Sequence, residues 1–446
     1  MSKRYSSAQD VSPKPLGEPI YFPFSKRTAP NRFMKSALSE NLSSWDPENR
    51  ALCGVPGAEL VHLYERWAEG GSGMIITGNV MVDDDHRENK CNLGVPPRIA
   101  IPGKDKAADQ IIDASPERFA MFQRIAKAAK SMGALALAQT NHPGRQTPKD
   151  IHEHPVSASD VVLVRHEHAL HEFAKPHAAS IEEIKEIVDA FVHTAAYLEA
   201  AGFDGVQLHG AHGYLIAQFL SSTTNKRDDQ YGGTLENRSR IIVDIARGTR
   251  EQCSSAFVLG IKMNSVEFQE YGLQAEEAKI ICQILEREKF DFVELSGGTY
   301  EELGWLHKRE STKAREGYFM EWADLIVPQL SQTRSYVTGG FKSAPAMVQA
   351  LKTIDGVGFG RPICQEPNLA KDILDGRISS VIQSVIPDDQ YLLTTLVAGT
   401  HLRQLAEGRE PFDMSRQEQV DKFMAAVTVF MERLKAGEVL SWPDMQ

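Results

Sequence analysis

Short apolar runs, many of them β-branched, recur along the chain at Arg32–Leu38, Gly73–Val80, Ala134–Thr140, Gly205–His209, Phe257–Met263, Phe292–Leu295, Ser335–Thr338 and Gly356–Gly360. They are apolar throughout rather than alternating, which suits strands buried on both faces of a parallel sheet. Amphipathic stretches separate them: Glu59–Glu69, Pro116–Ser131, Ile181–Ala201, Leu235–Glu251, Ala275–Glu286 and Ala344–Lys352. Ser180 stands as N-cap before Ile181, with Glu183 placed to complete a capping box. Eight strands, each followed by a helix or loop, predict an α/β fold of the (β/α)8 TIM-barrel type rather than a doubly wound sheet. Residues 81–115 and 141–179, rich in Pro, Asp, His and Asn, are expected to be long top-face loops, where such barrels build their sites. Beyond residue 370 a helical extension containing Tyr391–Ala406 and Gln417–Leu434 is expected to pad the barrel, cover the site or form a subunit contact. The expected division is a polar arm at 1–17, the barrel at 18–370 and the helical extension at 371–446.

Composition narrows the function. The 446 residues carry 49 basic and 60 acidic side chains, a net charge of -11, and are 42% hydrophobic. That excludes global disorder and argues against nucleic acid as a partner. Cys53, Cys91, Cys253, Cys282 and Cys364 are dispersed, as reduced thiols in a cytoplasmic protein would be. No apolar run reaches the roughly 18 residues of a membrane span, and the polar opening is not expected to act as a secretory signal. No G-x-G-x-x-G fingerprint occurs, so a nicotinamide cofactor would have to bind without a Rossmann domain.

The densest chemistry is Gly205-Val-Gln-Leu-His209-Gly-Ala-His212-Gly-Tyr214, where the fourth strand runs into His-x-x-His-x-Tyr. Two imidazoles three residues apart at a barrel mouth can converge on one oxygen atom. A metal reading would need further ligands from His166, His168, His171 or His177, with a carboxylate or thiolate at defined spacing, and that spacing is missing. The segment Asn225 to Arg240, with alternating charges, Gly232, Gly233 and Thr234 as a helix N-cap, reads as a clasp holding the long loop to the rim.

The run from His209 to Arg240 resembles the Old Yellow Enzyme family of FMN-dependent NADH:flavin oxidoreductases. The likeness extends over about residues 18–370 through Asn31–Ser39, Gly73–Gly78, Ala138–Arg145, Pro155–Ser159, Gly339–Phe341 and Phe359–Pro362. It implies a (β/α)8 barrel with non-covalent FMN, and NAD(P)H as reductant. Flavin contacts are implied for Ser36, Ala37, Leu38, Ser39, Gly78, Gln139, Lys262, Gly339, Gly340, Gly360 and Arg361. Gln139 would meet the pyrimidine edge, and Lys262, where relatives more often carry Arg, the N1–O2 side; Lys keeps the charge and loses the fork. Ser39 would place a hydroxyl near O4 and N5, and Gly340, Gly360 and Arg361 would cradle the phosphate.

On the substrate side the resemblance makes His209 and His212 the pair that binds the oxygen of an α,β-unsaturated carbonyl compound, and Tyr214 the proton donor. The implied reaction is ping-pong reduction of an activated C=C bond, with hydride from flavin N5. An enone or quinone is the expected partner, and a monomer or homodimer the expected assembly. Alternatives on the same barrel are a dehydrogenase or demethylase, an NAD(P)H oxidase, or a binding protein without flavin. A version with an appended iron–sulfur domain is not expected, because only Cys364 lies near the barrel's end.

Overall fold

The computed structural model describes residues 2–7, 11–104, 110–163, 171–264, 275–296, 316–317 and 319–445. All the predicted runs are strands: β1 Phe33–Lys35, β2 Met74–Met81, β3 Leu135–Asn141, β4 Gly205–Gly210, β5 Val258–Asn264, β6 Phe292–Ser296, β7 Arg334–Thr338 and β8 Gly356–Phe359. Each pairs in parallel with the next, and β8 returns to β1 through Val357 opposite Phe33, closing the barrel. Closure leaves no free edge in the ring.

The barrel floor is apolar because every second residue points inward. Met34, Met74, Ile76, Leu135, Leu137, Val258, Phe292 and Tyr336 form one buried cluster with Ile20, Phe22 and Ala29. The last three belong to an antiparallel hairpin, Ile20–Phe22 with Arg27–Ala29, that plugs the bottom. Large and small residues interlock there. A Cβ at Gly260 would stand 2.1 Å from the Phe292 ring, and one at Gly356 would stand 2.3 Å from Tyr336.

The outer helices include α1 Ala58–Glu69, α2 Arg118–Lys130, α3 Ile181–Ala200, α4 Arg240–Gln252 and α5 Ala275–Arg287. The capping box at Ser180 and Glu183 is formed in both directions. The single helix expected over Leu235–Glu251 is two pieces, Leu235–Arg238 and α4. Ser239 caps the first, and its Oγ turns back onto Leu235 O (2.8 Å). The Asn225–Arg240 segment does clasp the long loop: Arg227 Nη1 donates to Ala158 O (3.0 Å) and Ala179 O (2.6 Å).

The extension after the barrel folds back over its top. Helices α6 Tyr391–Ala406 and α7 Gln417–Lys435 share an apolar cluster with Phe412, Met414, Val420, Phe423 and Phe430. Trp442 Nε1 donates to Glu40 O (2.6 Å), and the N-terminal arm joins the same side, with Tyr5 N donating to Val381 O (3.2 Å). No described helix is long and apolar enough to cross a membrane.

Candidate active site

Two residues above the apolar floor the barrel interior turns polar. Gln139 Nε2 donates to Gln207 Oε1 (2.6 Å), and Gln207 Nε2 donates to Glu294 Oε2 (2.7 Å). Glu294 in turn pairs with Lys262 at 3.3 Å, the two side chains being 0% and 6% exposed. Buried charges are tolerated when paired and hydrogen-bonded, so the Lys262 cation is held in place by Glu294. Glu294 was not singled out from the sequence. Its signal was a carboxylate two positions beyond Phe292, on the inward face of an apolar run.

Above this row opens a cavity of about 410 Å³, within the usual range of cofactor and substrate pockets. Ala37, Leu38, Ser39, Gln139, His209, His212, Tyr214, Lys262, Gly339, Gly340, Gly360 and Arg361 all line it. Ser36 and Gly78 do not belong to that lining. Ser36 Oγ lies 2.7 Å from Thr338 Oγ1, and Gly78 N donates to Glu40 Oε1 (2.8 Å). Gly78 is there for close approach, since a Cβ would meet Glu40 Oε2 at 2.2 Å and Leu38 O at 2.3 Å.

His209 and His212 stand side by side at the end of β4. His209 Nε2 lies 3.0 Å from His212 Nδ1, so the imidazoles bond to each other. His209 Nδ1 is 2.9 Å from Asn79 Oδ1, and His212 Nε2 is 2.9 Å from Ser296 Oγ. The tight turn after β4 sets His212 at φ 58, and the Tyr214 ring packs 4.5 Å from that of His209. Burial, then His212 and Lys262, hold His209 well below the ordinary imidazole range; burial and then Lys262 push His212 down to about 3. Both rings are therefore neutral near pH 7.

Asn79 and Glu88 are further lining residues that the sequence did not reveal. Asn79 reaches the cavity because β2 carries a bulge between Ile76 and Asn79. The extra residue flips the inward–outward parity, so Asn79 stands opposite inward-facing Gln139. Asn79 Nδ2 donates to Glu88 Oε2, and Ser39 Oγ donates to the same atom (2.9 Å). Ser39 thus directs its one hydroxyl hydrogen to Glu88 rather than into the cavity.

At the other end of the cavity, Gly339 and Gly340 follow β7 with φ of 124 and 78, and Gly360 and Arg361 follow β8. These are the strand ends where (β/α)8 barrels hold phosphate. Arg361 Nη1 donates to Thr394 of α6. Tyr391, Thr394, His401 and Trp442 complete the roof. An amide and a paired cation at the floor, a cavity of this size and an arginine among glycines at one end suit an FMN with its phosphate at Arg361.

A second histidine cluster lies among residues of the long loops. Asp83 Oδ2 is 3.1 Å from His86 Nδ1 and 3.7 Å from His142 Nε2. The three could be placed around a metal ion, but their tautomers point the other way. Val156 N donates to His86 Nε2 (3.2 Å), and Gly144 N donates to His142 Nδ1 (3.1 Å). Each lone pair is thereby used, and each ring turns an N–H toward Asp83. Burial raises the Asp83 carboxyl, but bonds from His142 and His86 outweigh this and hold it well below the usual range. Of the loop histidines weighed as metal ligands, His166 and His168 lie outside the described residues, and His177 pairs with Glu183 (2.8 Å).

Comparison with known proteins agrees with this geometry. Residues 18–379 match the model of the NADH:flavin oxidoreductase / NADH oxidase family. The chain is 44% identical over 429 residues to the NADH-dependent flavin oxidoreductase nadA of Aspergillus parasiticus, covering 96% of this chain and 94% of that one. It is 32% identical to the NADH-dependent flavin oxidoreductase iliE of Hypocrea jecorina, over 78% of this chain and 86% of the relative. Among solved structures, morphinone reductase in complex with tetrahydroNAD shares the fold at a TM-score of 0.63 and 21% identity, covering 82% of this chain and 92% of that one. With the closed barrel, the lined cavity and a family match over most of its length, the chain belongs to the NADH:flavin oxidoreductase / NADH oxidase family, the Old Yellow Enzyme family, and is an oxidoreductase with FMN as cofactor and NAD(P)H as reductant.

Proposed function

We propose that this oxidoreductase reduces the activated C=C bond of α,β-unsaturated carbonyl compounds, with enones or quinones as its small-molecule oxidants. The observation that carries the reading is the His209, His212 and Tyr214 group on the lip of a cavity floored by Gln139 and the Lys262–Glu294 pair. When bound, FMN supplies the hydride chemistry, accepting from NAD(P)H and giving to the oxidant.

The chain's own residues do the rest. Ser36, Ala37, Leu38, Ser39, Gly78, Gln139, Lys262, Gly339, Gly340, Gly360 and Arg361 are assigned to the cofactor's surroundings, Ser36 and Gly78 by shaping the backbone beneath it. The substrate oxygen enters between the imidazoles and replaces their mutual hydrogen bond. Donation to that oxygen stabilises the enolate-like charge that develops on it. Tyr214 delivers a proton to the α-carbon; a phenol is a weak acid, but an enolate carbon is a strong base. The α6 roof keeps water from the reacting atoms.

Changing Tyr214→Phe tests the assignment. The variant should retain FMN and still be bleached by NAD(P)H under anaerobic conditions, while enone turnover falls about 100-fold or more. Enone reduction at the wild-type rate would remove Tyr214 from the mechanism. A wild-type flavin that NAD(P)H bleaches but enones leave bleached would overturn the substrate class.

A further inference from the structure

The hydrogen bonds around His209 run in one direction. The Glu88 carboxylate has only lone pairs to offer, so Asn79 must present its Nδ2–H₂ to Glu88 and its Oδ1 to His209. His209 must then place its proton on Nδ1, which leaves Nε2 as an acceptor. His212 Nδ1–H donates to that Nε2, and Ser296 Oγ, at 2.9 Å, is left to donate to His212 Nε2. The two imidazoles are therefore not equivalent. An oxygen that enters between them finds a donor on His212 and a lone pair on His209. A bare carbonyl satisfies one of them, whereas a phenol or an enol satisfies both.

We propose that Glu88 is a positioning residue which, through Asn79, fixes the tautomer of His209 and compensates the charge that ring acquires when it takes the proton of an enol or phenol. The inference deepens the enone-reductase reading and rests on it. The step balances within the site. The ligand O–H bond breaks, its proton goes to His209 Nε2, and the resulting oxyanion accepts from His209 Nε2–H and His212 Nδ1–H. His209 keeps Nδ1–H on Asn79 throughout, so its positive charge stays on the ring and is offset, through the Asn79 dipole, by the Glu88 carboxylate. Other charged or titratable groups facing His209 are His212 and Tyr214 from its own strand end and Lys262 from β5, the last already paired with Glu294 from β6. Only Glu88 supplies uncompensated negative charge along a hydrogen-bonded path to this ring among the described residues. Its other bond comes from Ser39 Oγ, which also accepts from Asn79 Nδ2 (3.4 Å) and makes no bond to either histidine.

The test uses the FMN-loaded protein and para-chlorophenol carrying ¹³C at the oxygen-bearing carbon, whose NMR shift separates phenol from phenolate. At a pH below the phenol's own pKa, wild type should bind it as phenolate. Glu88→Gln keeps the shape and removes the charge; it should bind the neutral phenol, about tenfold or more weakly. The double variant Glu88→Gln with Asn79→Asp moves the charge next to His209 and should restore phenolate, a rescue that a merely structural Glu88 could not produce. Phenolate bound by Glu88→Gln as in wild type, neutral phenol bound by wild type, or no rescue in the double variant would each overturn this role of Glu88. A para-chlorophenol affinity unmoved by changing His209 and His212 together to Ala would instead overturn the oxygen-site reading beneath it.

Discussion

Asp83 and Glu88 lie five positions apart in one loop, and each ends a line of imidazoles, yet the two lines are built for different ends. At Asp83 the carboxylate accepts from His86 Nδ1 (3.1 Å) and stands 3.7 Å from His142 Nε2, and the remaining ring nitrogens of His86 and His142 are taken by backbone N–H groups. Three of the four ring nitrogens are hydrogen-bonded, the fourth faces the carboxylate at 3.7 Å and none lines the cavity, so the cluster ties the loops to the barrel. At Glu88 an amide stands between carboxylate and imidazole, and the far end of the line opens into the cavity. The inserted Asn79 moves the charge away from the ring while keeping it electrically connected. The same residue types thus make a structural tie in one place and line the cavity, as the proposed oxygen site, in the other.

Breaking the tie should have the largest effect. Asp83→Ala strands the buried His86 N–H and removes the carboxylate that faces His142, and should lower stability by about 3 kcal/mol in chemical denaturation, while bound para-chlorophenol stays ionised. A loss below half a kilocalorie would show that the loops are held elsewhere.

Acid should act on both clusters through their neutral rings. His142 is pushed down to about 4 and His212 to about 3, burial being the leading cause in each. Histidines in the unfolded chain protonate near pH 6.5. The unfolded state therefore binds more protons as pH falls, and stability should drop progressively below about pH 6.5. Asp83, depressed instead, keeps its contribution until pH falls past the ordinary carboxylate range. His212→Asn should flatten the fall, and a stability constant down to about pH 4.5 would contradict neutral burial of these rings.

A smaller effect is expected at the roof. Gly399 lies under Trp442, where an added Cβ would stand 2.0 Å from Cδ2 of the indole. Gly399→Ala should cost about 1–3 kcal/mol and shift the tryptophan emission. Unchanged emission and stability would mean that Trp442 packs elsewhere. Smallest of all, Glu88→Gln should change stability by less than about 1 kcal/mol, since its partners stay hydrogen-bonded. A loss as large as that at Asp83 would erase the distinction between the two carboxylates.

The strands were legible because parallel strands buried on both faces leave unbroken apolar runs, and the start of α3 was legible because Ser180 and Glu183 act within one helical turn. His209, His212 and Tyr214 were legible because they crowd one strand end. Asn79 was not. Its inward aim depends on the β2 bulge, and a residue inserted into a ladder leaves no mark in hydrophobic periodicity. Glu88 and the roof were hidden for a different reason. Their partners, Ser39 and Glu40 among them, are brought close only by barrel closure and by the return of the C-terminal segment.

That return also shapes the order of assembly. Trp442 and Glu40 are 402 positions apart, and Ser2 and Asp413 are 411 apart. Contacts of such separation carry a large loop-closure entropy and form only after local ones have condensed. The barrel wall should therefore be in place before the roof settles, and roof variants should show themselves in the rate of unfolding far more than in the rate of folding. The cavity that defines this enzyme is, in kinetic terms, the last part of it to be completed and the first to come undone.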